Sequence, residues 1–319
     1  MFQKTILSAA ALGATMALSG GALAADFPKK NINFIIPYGP GGGFDTYVRK
    51  IAPLIAKHLP NKVNVIPKNV TGAGGRKALN DLYRAKPNGY TIAIFNMPGM
   101  LLDKILGKKS RFDVEKFTWL SQIAVTPYIL SVNSKGPYQS IEALKGASEA
   151  LKYPITSPNS TAYVAGKIMA AAIGLKVKFL PGYKGSAKTS LSIIRGDTHM
   201  SLFAVRQHAK YAKGGDLKGV LSFQEKSPFP GVPTVREIGH PELAVLATER
   251  IIGTVPGTPK AIANVLEQAI IKGGNEDSIQ SWAKKGKRAL NPLSAADTQK
   301  RVTHLVKFYS KFRSTLEAK

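Results

Sequence analysis

Cysteine is absent from all 319 residues. That excludes disulfides, thiolate metal sites and a cysteine nucleophile, so a folded chain must be held by its core alone. Histidine is sparse: His58, His199, His208, His240 and His304 are scattered, with no His-Glu-x-x-His or comparable ligand spacing. The Gly-x-Ser-x-Gly elbow of serine hydrolases is missing, and no motif places a pair of carboxylates. The reading is therefore of a chain that is not an enzyme and holds no metal and no cofactor. Acidic residues are few, 19 against 45 Lys and Arg, for a net charge of +26. No run beyond residue 24 is long and apolar enough to cross a bilayer.

The first 24 residues read as a secretory signal peptide (1–24). Lys4 supplies the positive start, Thr5 to Leu18 the short apolar stretch, and Ala22-Leu23-Ala24 an A-x-A cleavage site. A soluble, exported mature protein starting at Ala25 is expected. Its length favours two domains. The basic residues are spread rather than massed; Lys29-Lys30, Lys108-Lys109 and Lys284-Lys285-Gly286-Lys287-Arg288 are the only tight groups. No nucleic-acid motif accompanies them, so a nucleic-acid partner is not expected, and the charge fits a field that draws in anionic solutes.

Two glycine-rich turns carry the most information. Each follows an apolar run that reads as a buried strand and precedes a helical pattern: Tyr38-Gly39-Pro40-Gly41-Gly42-Gly43-Phe44-Asp45, then Asn69-Val70-Thr71-Gly72-Ala73-Gly74-Gly75. Glycine lets backbone N–H groups approach a ligand closely, and a helix N-terminus behind the turn adds partial positive charge. The anion is not a nucleotide by this pattern. Neither turn has the Lys-Ser/Thr of a P-loop, and Thr46 stands where Gly-x-Gly-x-x-Gly needs its third glycine. A single such turn is more simply a tight connection, but two in the same context favour a ligand site.

Strands are expected at Asn33–Pro37, Val63–Ile66 and Tyr90–Phe95, with helices over Thr46–His58 and Arg76–Ala85 between them, which makes a parallel α/β unit. A second unit begins near Ile123–Val132 and includes a helix from Ala162 to Ile173 and strands at Val177–Leu180, Met200–Phe203 and Val220–Ser222. Ser157 to Thr161 reads as a helix-capping cluster with hydroxyls to spare, capping and ligand contact being equally open. Residues 259–316 are helical again.

In order along the chain, Pro37-Tyr38-Gly39-Pro40-Gly41-Gly42-Gly43-Phe44-Asp45, Asn69 to Gly75, Pro87-Asn88-Gly89-Tyr90-Thr91, Pro181-Gly182-Tyr183-Lys184-Gly185-Ser186-Ala187, Pro228 to Thr234 and Gly257-Thr258-Pro259 resemble six segments of the Bug family, the periplasmic binding proteins of tripartite tricarboxylate transporters. The resemblance implies an α/β, two-lobe periplasmic binding protein fold of type II character, with the ligand in the interlobe cleft. Lobe 1 is expected as 25–124 plus 252–319 and lobe 2 as 125–251. It further implies a small-molecule carboxylate as ligand, the integral-membrane subunits of such a transporter as partners, and the periplasm as location. The protein is expected to act as a monomer. The alternatives are a cationic periplasmic binder of polyanions and a binding protein that senses rather than transports.

The residues that carry over are Tyr38, Gly42, Gly43 and Asp45 in the first turn, Thr71, Ala73 and Gly74 in the second, and Ser157, Asn159, Ser160, Thr161 and Tyr183 from the other lobe; Tyr183 reads alternatively as core, and Asp45 as turned into the first turn of its own helix, stabilising its N-terminus. Two departures bear on specificity. Phe44 stands where the family often has Thr or Ser, and Phe203 where it often has an acid that suits an amino group. Both are counted as ligand-facing here, and they favour a dicarboxylate or aromatic carboxylate over an amino acid. Arg250 is expected at the surface, with a bidentate carboxylate partner as the alternative.

Overall fold

The computed structural model describes residues 26–158 and 160–318; the expected signal segment and Asn159 lie outside them. β1 (Ile32–Ile36), α1 (Gly43–Lys57), β2 (Val65–Asn69), α2 (Arg76–Tyr83) and β3 (Thr91–Met97) follow in order. β1 pairs in parallel with both β2 and β3, as the alternation of apolar runs and helical patterns predicts. One face of this sheet buries Ile32, Phe34, Ile92 and Ile94 against Val48, Ile51 and Ile55 of α1. A fully buried aliphatic side chain of this kind stabilises by about 1.5–3 kcal/mol.

After the short helix α3 (Leu102–Ile105), the strand β4 (Thr118–Asn133) is the spine of the molecule. From Thr118 to Pro127 it pairs antiparallel with β9 (Ala247–Thr254). From Tyr128 onward it pairs instead with β7 (Met200–Ala204) and β8 (Leu217–Ser222). The strand thus passes from one half of the fold to the other without interruption. Between β4 and β7 the chain forms α4 (Ile141–Lys145), β5 (Leu151–Pro154), α5 (Thr161–Ile173), β6 (Val177–Leu180) and α6 (Ser186–Ile194). β5 and β6 make a separate parallel pair. α7 (Val205–Ala212) joins β7 to β8, and α8 (Lys260–Gly274), α9 (Asp277–Lys285), α10 (Ala295–Ser310) and α11 (Arg313–Glu317) complete the chain.

The main sheet runs β2-β1-β3-β9-β4-β7, with β8 also on β4. β9 and β5 are absent from the sequence expectations. β9 carries Glu249 and Arg250 within an apolar run, which disguises it, and it lies antiparallel between β3 and β4. The expected lobe boundaries at 124/125 and 251/252 fall inside β4 and β9, which pair with each other. The larger core runs from Phe95, Met100 and Trp119 to Tyr153, Ile168 and Met200, with Val302, Leu305 and Tyr309 of α10 packed into it.

α8 lies so close to α1 that a Cβ on Gly273 would stand 2.9 Å from the backbone carbon of Leu54. Gly273→Ala would gain about 1 kcal/mol of helix propensity, but backbone atoms cannot give way cheaply, and overpacking costs about 1–3 kcal/mol. The expected result is a net loss of stability in urea unfolding; a variant more stable than the wild type would refute this account of the α1–α8 contact.

Candidate functional site

The site begins where β1 and β2 end. Gly41 has φ +79°, so the left-handed position of the first turn falls there and not at Gly43. Gly42 is the N-cap of α1 without a capping side chain, and Gly43 opens the helix. Asp45, one turn in, is 4% exposed and accepts the Gly41 N–H, the Asn69 side-chain amide and the Arg49 guanidinium, each at 2.9 Å. Burial alone would raise its pKa, but these hydrogen bonds and the Arg49 charge outweigh it and hold the carboxyl below its ordinary value. The same Asn69 amide nitrogen donates to the Tyr38 carbonyl at 2.9 Å. Asn69 is the last residue of β2, so this network fastens the first turn to the start of the second. Of the two readings of Asp45, the structure has its carboxylate engaged by the protein beside the start of its own helix.

The second turn has four consecutive residues at positive φ, Gly72, Ala73, Gly74 and Gly75, a path that only a glycine-rich segment follows without strain. A Cβ on Gly75 would meet Met100 at 2.7 Å and Pro37 at 3.1 Å. The two turns are therefore packed together as well as hydrogen-bonded. Thr71, Ala73 and Gly74 are exposed.

Across from them stands the segment before α5. Ser157 Oγ is 3.3 Å from where a Cβ of Gly74 would lie, and it is buried without a hydrogen-bond partner. Ser160 is the N-cap of α5 and accepts the Tyr163 N–H at 3.2 Å. Thr161 accepts the Gly99 N–H at 3.0 Å and donates to Asn96 at 2.8 Å. Capping and bridging thus account for the hydroxyls of Ser160 and Thr161, whereas Ser157 is uncommitted. Asn159 lies outside the described residues. Tyr183 is half-buried in the loop after β6, where its N–H donates to the Ile155 carbonyl at 3.3 Å.

The aromatic residues divide. The Tyr38 and Phe44 rings are 5.0 Å apart beside the first turn. Burial pushes the Tyr38 phenol up to about 12, against the opposing pull of Asn96 and of the Arg76 and Arg250 charges. Phe203 is a correction. It is 2% exposed and packs with Ile193 and Leu217 in a small core of its own, so it neither lines the cleft nor governs an amino group there.

Arg250 is the second correction. It is 7% exposed, not a surface residue. Its register places it opposite Asn96 of β3 and Ala124 of β4. The guanidinium lies 4.8 Å from the Phe44 ring centre and 4.6 Å from that of Tyr47, and Nη1 donates to Thr126 Oγ1 at 2.7 Å. Nη2 would be 3.3 Å from a Cβ on Gly43. The sequence signal was a pair of charges inside an apolar run; the strand's alternation sends Glu249 to Arg301 on the other face and Arg250 to the glycine turn.

Two cavities, of about 310 and 480 Å³, lie elsewhere, one lined by Tyr83, Lys104 and Arg111 and the other by Trp282 and Arg288. Among the described residues no group of three or more His, Asp or Glu is placed to hold a metal ion.

Residues 47–307 match the family model described as the tripartite tricarboxylate transporter family receptor, a family of substrate receptors rather than enzymes. The chain is 24% identical over 257 residues to the protein BugT of Bordetella pertussis, covering 78% of each. Among solved structures it is similar to the periplasmic binding protein BugD, at 20% identity with a TM-score of 0.78, over 91% of this chain and 98% of that one. It is also similar to MatC of Rhodopseudomonas palustris, solved with bound malate, at 18% identity with a TM-score of 0.78, over 91% of this chain and all of that one. These likenesses show the two-lobe periplasmic binding protein fold.

If Asp45 holds the turns, Asp45→Asn should destabilise the protein by about 1.5–3 kcal/mol, the usual worth of hydrogen bonds to a charged group. The carboxyl's folded pKa lies below its unfolded value of 3.8, so the wild type's advantage is full above that pH and is lost as pH falls through the folded pKa. Thermal melts of both proteins between pH 7 and pH 2.5 measure it. An advantage that is absent at pH 7 would refute the role.

Proposed function

The chain belongs to the tripartite tricarboxylate transporter receptor family, and we propose that it captures a small dicarboxylate or aromatic carboxylate in the periplasm and delivers it to the membrane subunits of such a transporter. The observation that carries this reading is the fastened pair of glycine turns at the N-terminus of α1, with Ser157 Oγ opposite them and uncommitted. Turn N–H groups and a helix N-terminus favour a carboxylate. Ser157 offers a polar contact across the cleft. Tyr38 and Phe44, their rings tilted to each other, offer aromatic surface for the ligand's body. The malate bound by the similar MatC supports a dicarboxylate, and the secretory character of residues 1–24 supports export.

The loss of Phe203 from the cleft removes one argument against an amino acid, but a stronger one replaces it. The charged groups beside the first turn are a cation, Arg250, and the positive end of α1, while the one nearby carboxylate, Asp45, is already spent. A buried ammonium would lack a counter-charge, at a cost of several kcal/mol. Calorimetry with glutarate and glutamate, which share a carbon skeleton, tests this. Glutarate should bind at least tenfold more tightly, and tighter binding of glutamate would overturn the reading.

A further inference from the structure

We propose that Arg250 is the charge partner of the ligand's carboxylate at the N-terminus of α1, and that it sets the site's preference for anionic over neutral and zwitterionic acids. This rests on the glycine turns being the ligand site.

Two positive groups converge at this point. One is the end of a 15-residue helix that begins at Gly43 and carries partial positive charge. The other is the guanidinium whose Nη2 would be 3.3 Å from a Cβ on Gly43. Asp45, in the first turn of α1, is occupied by Gly41, Arg49 and Asn69. Among the described residues no carboxylate pairs with Arg250, and its Nε is buried without a hydrogen-bond partner. Its single hydrogen bond, to Thr126, leaves most of a five-donor fork unused.

A second arginine beside the turns shows the contrast. Arg76 Nη1 would be 3.8 Å from a Cβ on Gly74, but Arg76 is paired with Asp103 at 2.8 Å and is already balanced. The Arg250 guanidinium lies against the Phe44 and Tyr47 rings, which help hold it in place, while most of its donors have no hydrogen-bond partner among the described residues. A planar fork with unpartnered donors beside the glycine turn suits the bidentate geometry of a carboxylate. A purely structural arginine would be tied by several carbonyls or an acid, and removing it would lower stability.

The test is calorimetry of wild type, Arg250→Gln and Arg250→Lys with glutarate and with its neutral diamide, together with thermal melts without ligand. Wild type should bind glutarate and not the diamide. Arg250→Gln should weaken glutarate binding at least about thirtyfold, as truncating one partner of a buried charge pair does. Arg250→Lys should fall between, since it keeps the charge and loses the fork. The ligand-free melting temperature of Arg250→Gln should match or exceed that of wild type, because an uncompensated buried cation is removed; a lower one would mark Arg250 as structural and overturn the proposal. In the wild-type protein, the arginine Nε–H resonance missing from Arg250→Lys should shift when glutarate is added, and an unchanged resonance at saturation would also overturn the proposal. Glutarate binding by Arg250→Gln within threefold of wild type sinks this inference alone. A wild type that binds no carboxylate sinks the receptor reading and this inference with it.

Discussion

The site depends on one buried carboxylate. Asp45 holds Gly41 of the first turn, Arg49 of its own helix and Asn69 at the end of the neighbouring strand. Asn69 in turn holds the Tyr38 carbonyl. Glycine turns are permissive by nature, and without such a tie a stretch like Gly41-Gly42-Gly43 would sample many conformations at low energy. Fastening it from beneath keeps the upper surface clear: the exposed side of both turns carries backbone and small residues. Asp45, readable from the sequence either as a ligand contact or as part of its own helix start, is engaged by protein donors.

Much of this was legible because it is local. The strand–turn–helix units of the first hundred residues announce themselves through apolar runs, glycines and helical spacing, and β1, β2 and β3 pair in the parallel arrangement this implies. A capping cluster before α5 was legible in the same way, and Ser160 is the residue that caps it. What escaped depends on partners far along the chain. β9 lies between β3 and β4 although more than a hundred residues separate it from either. Its two charges hide its strand character, since their burial makes sense only once Arg301 and the glycine turn are in place. Phe203 was placed in the cleft by resemblance alone, and a resemblance carries a position over without showing which way its side chain turns in this strand. β7 turns Phe203 toward Ile193 and Leu217.

The division of hydroxyls at the start of α5 follows the same logic. Ser157, Ser160 and Thr161 are chemically alike, and local sequence cannot rank them. Ser160 is spent on its own helix, Thr161 on Gly99 and Asn96 at the far end of β3, and among the described residues Ser157 faces the second turn without a partner. The bridge through Thr161 joins β3 to α5, so it belongs to the same class of fastening as Asp45: a polar side chain used to set geometry, leaving a neighbour free for chemistry.

A shortage of acids offers a simple explanation for the lone Arg250, since the chain has 19 acidic residues against 45 Lys and Arg. That explanation fails on burial. Most of the excess cations are at the surface, where water solvates them at little cost, and a fold short of acids would leave its unpaired arginines there. The acids that are buried have been allotted: Asp45 to Arg49 and Glu249 to Arg301. Glu249 adjoins Arg250 in sequence, yet strand alternation sends it to the opposite face, where it is 1% exposed and fully engaged. The fold therefore has an acid within one residue of Arg250 and keeps the two apart. A buried, unpaired cation costs several kcal/mol, which is comparable with the whole stability margin of a domain. Its persistence beside the positive end of α1 is understandable when the compensating charge arrives with the ligand, so that part of the binding energy comes from relieving an electrostatic debt held by the free protein.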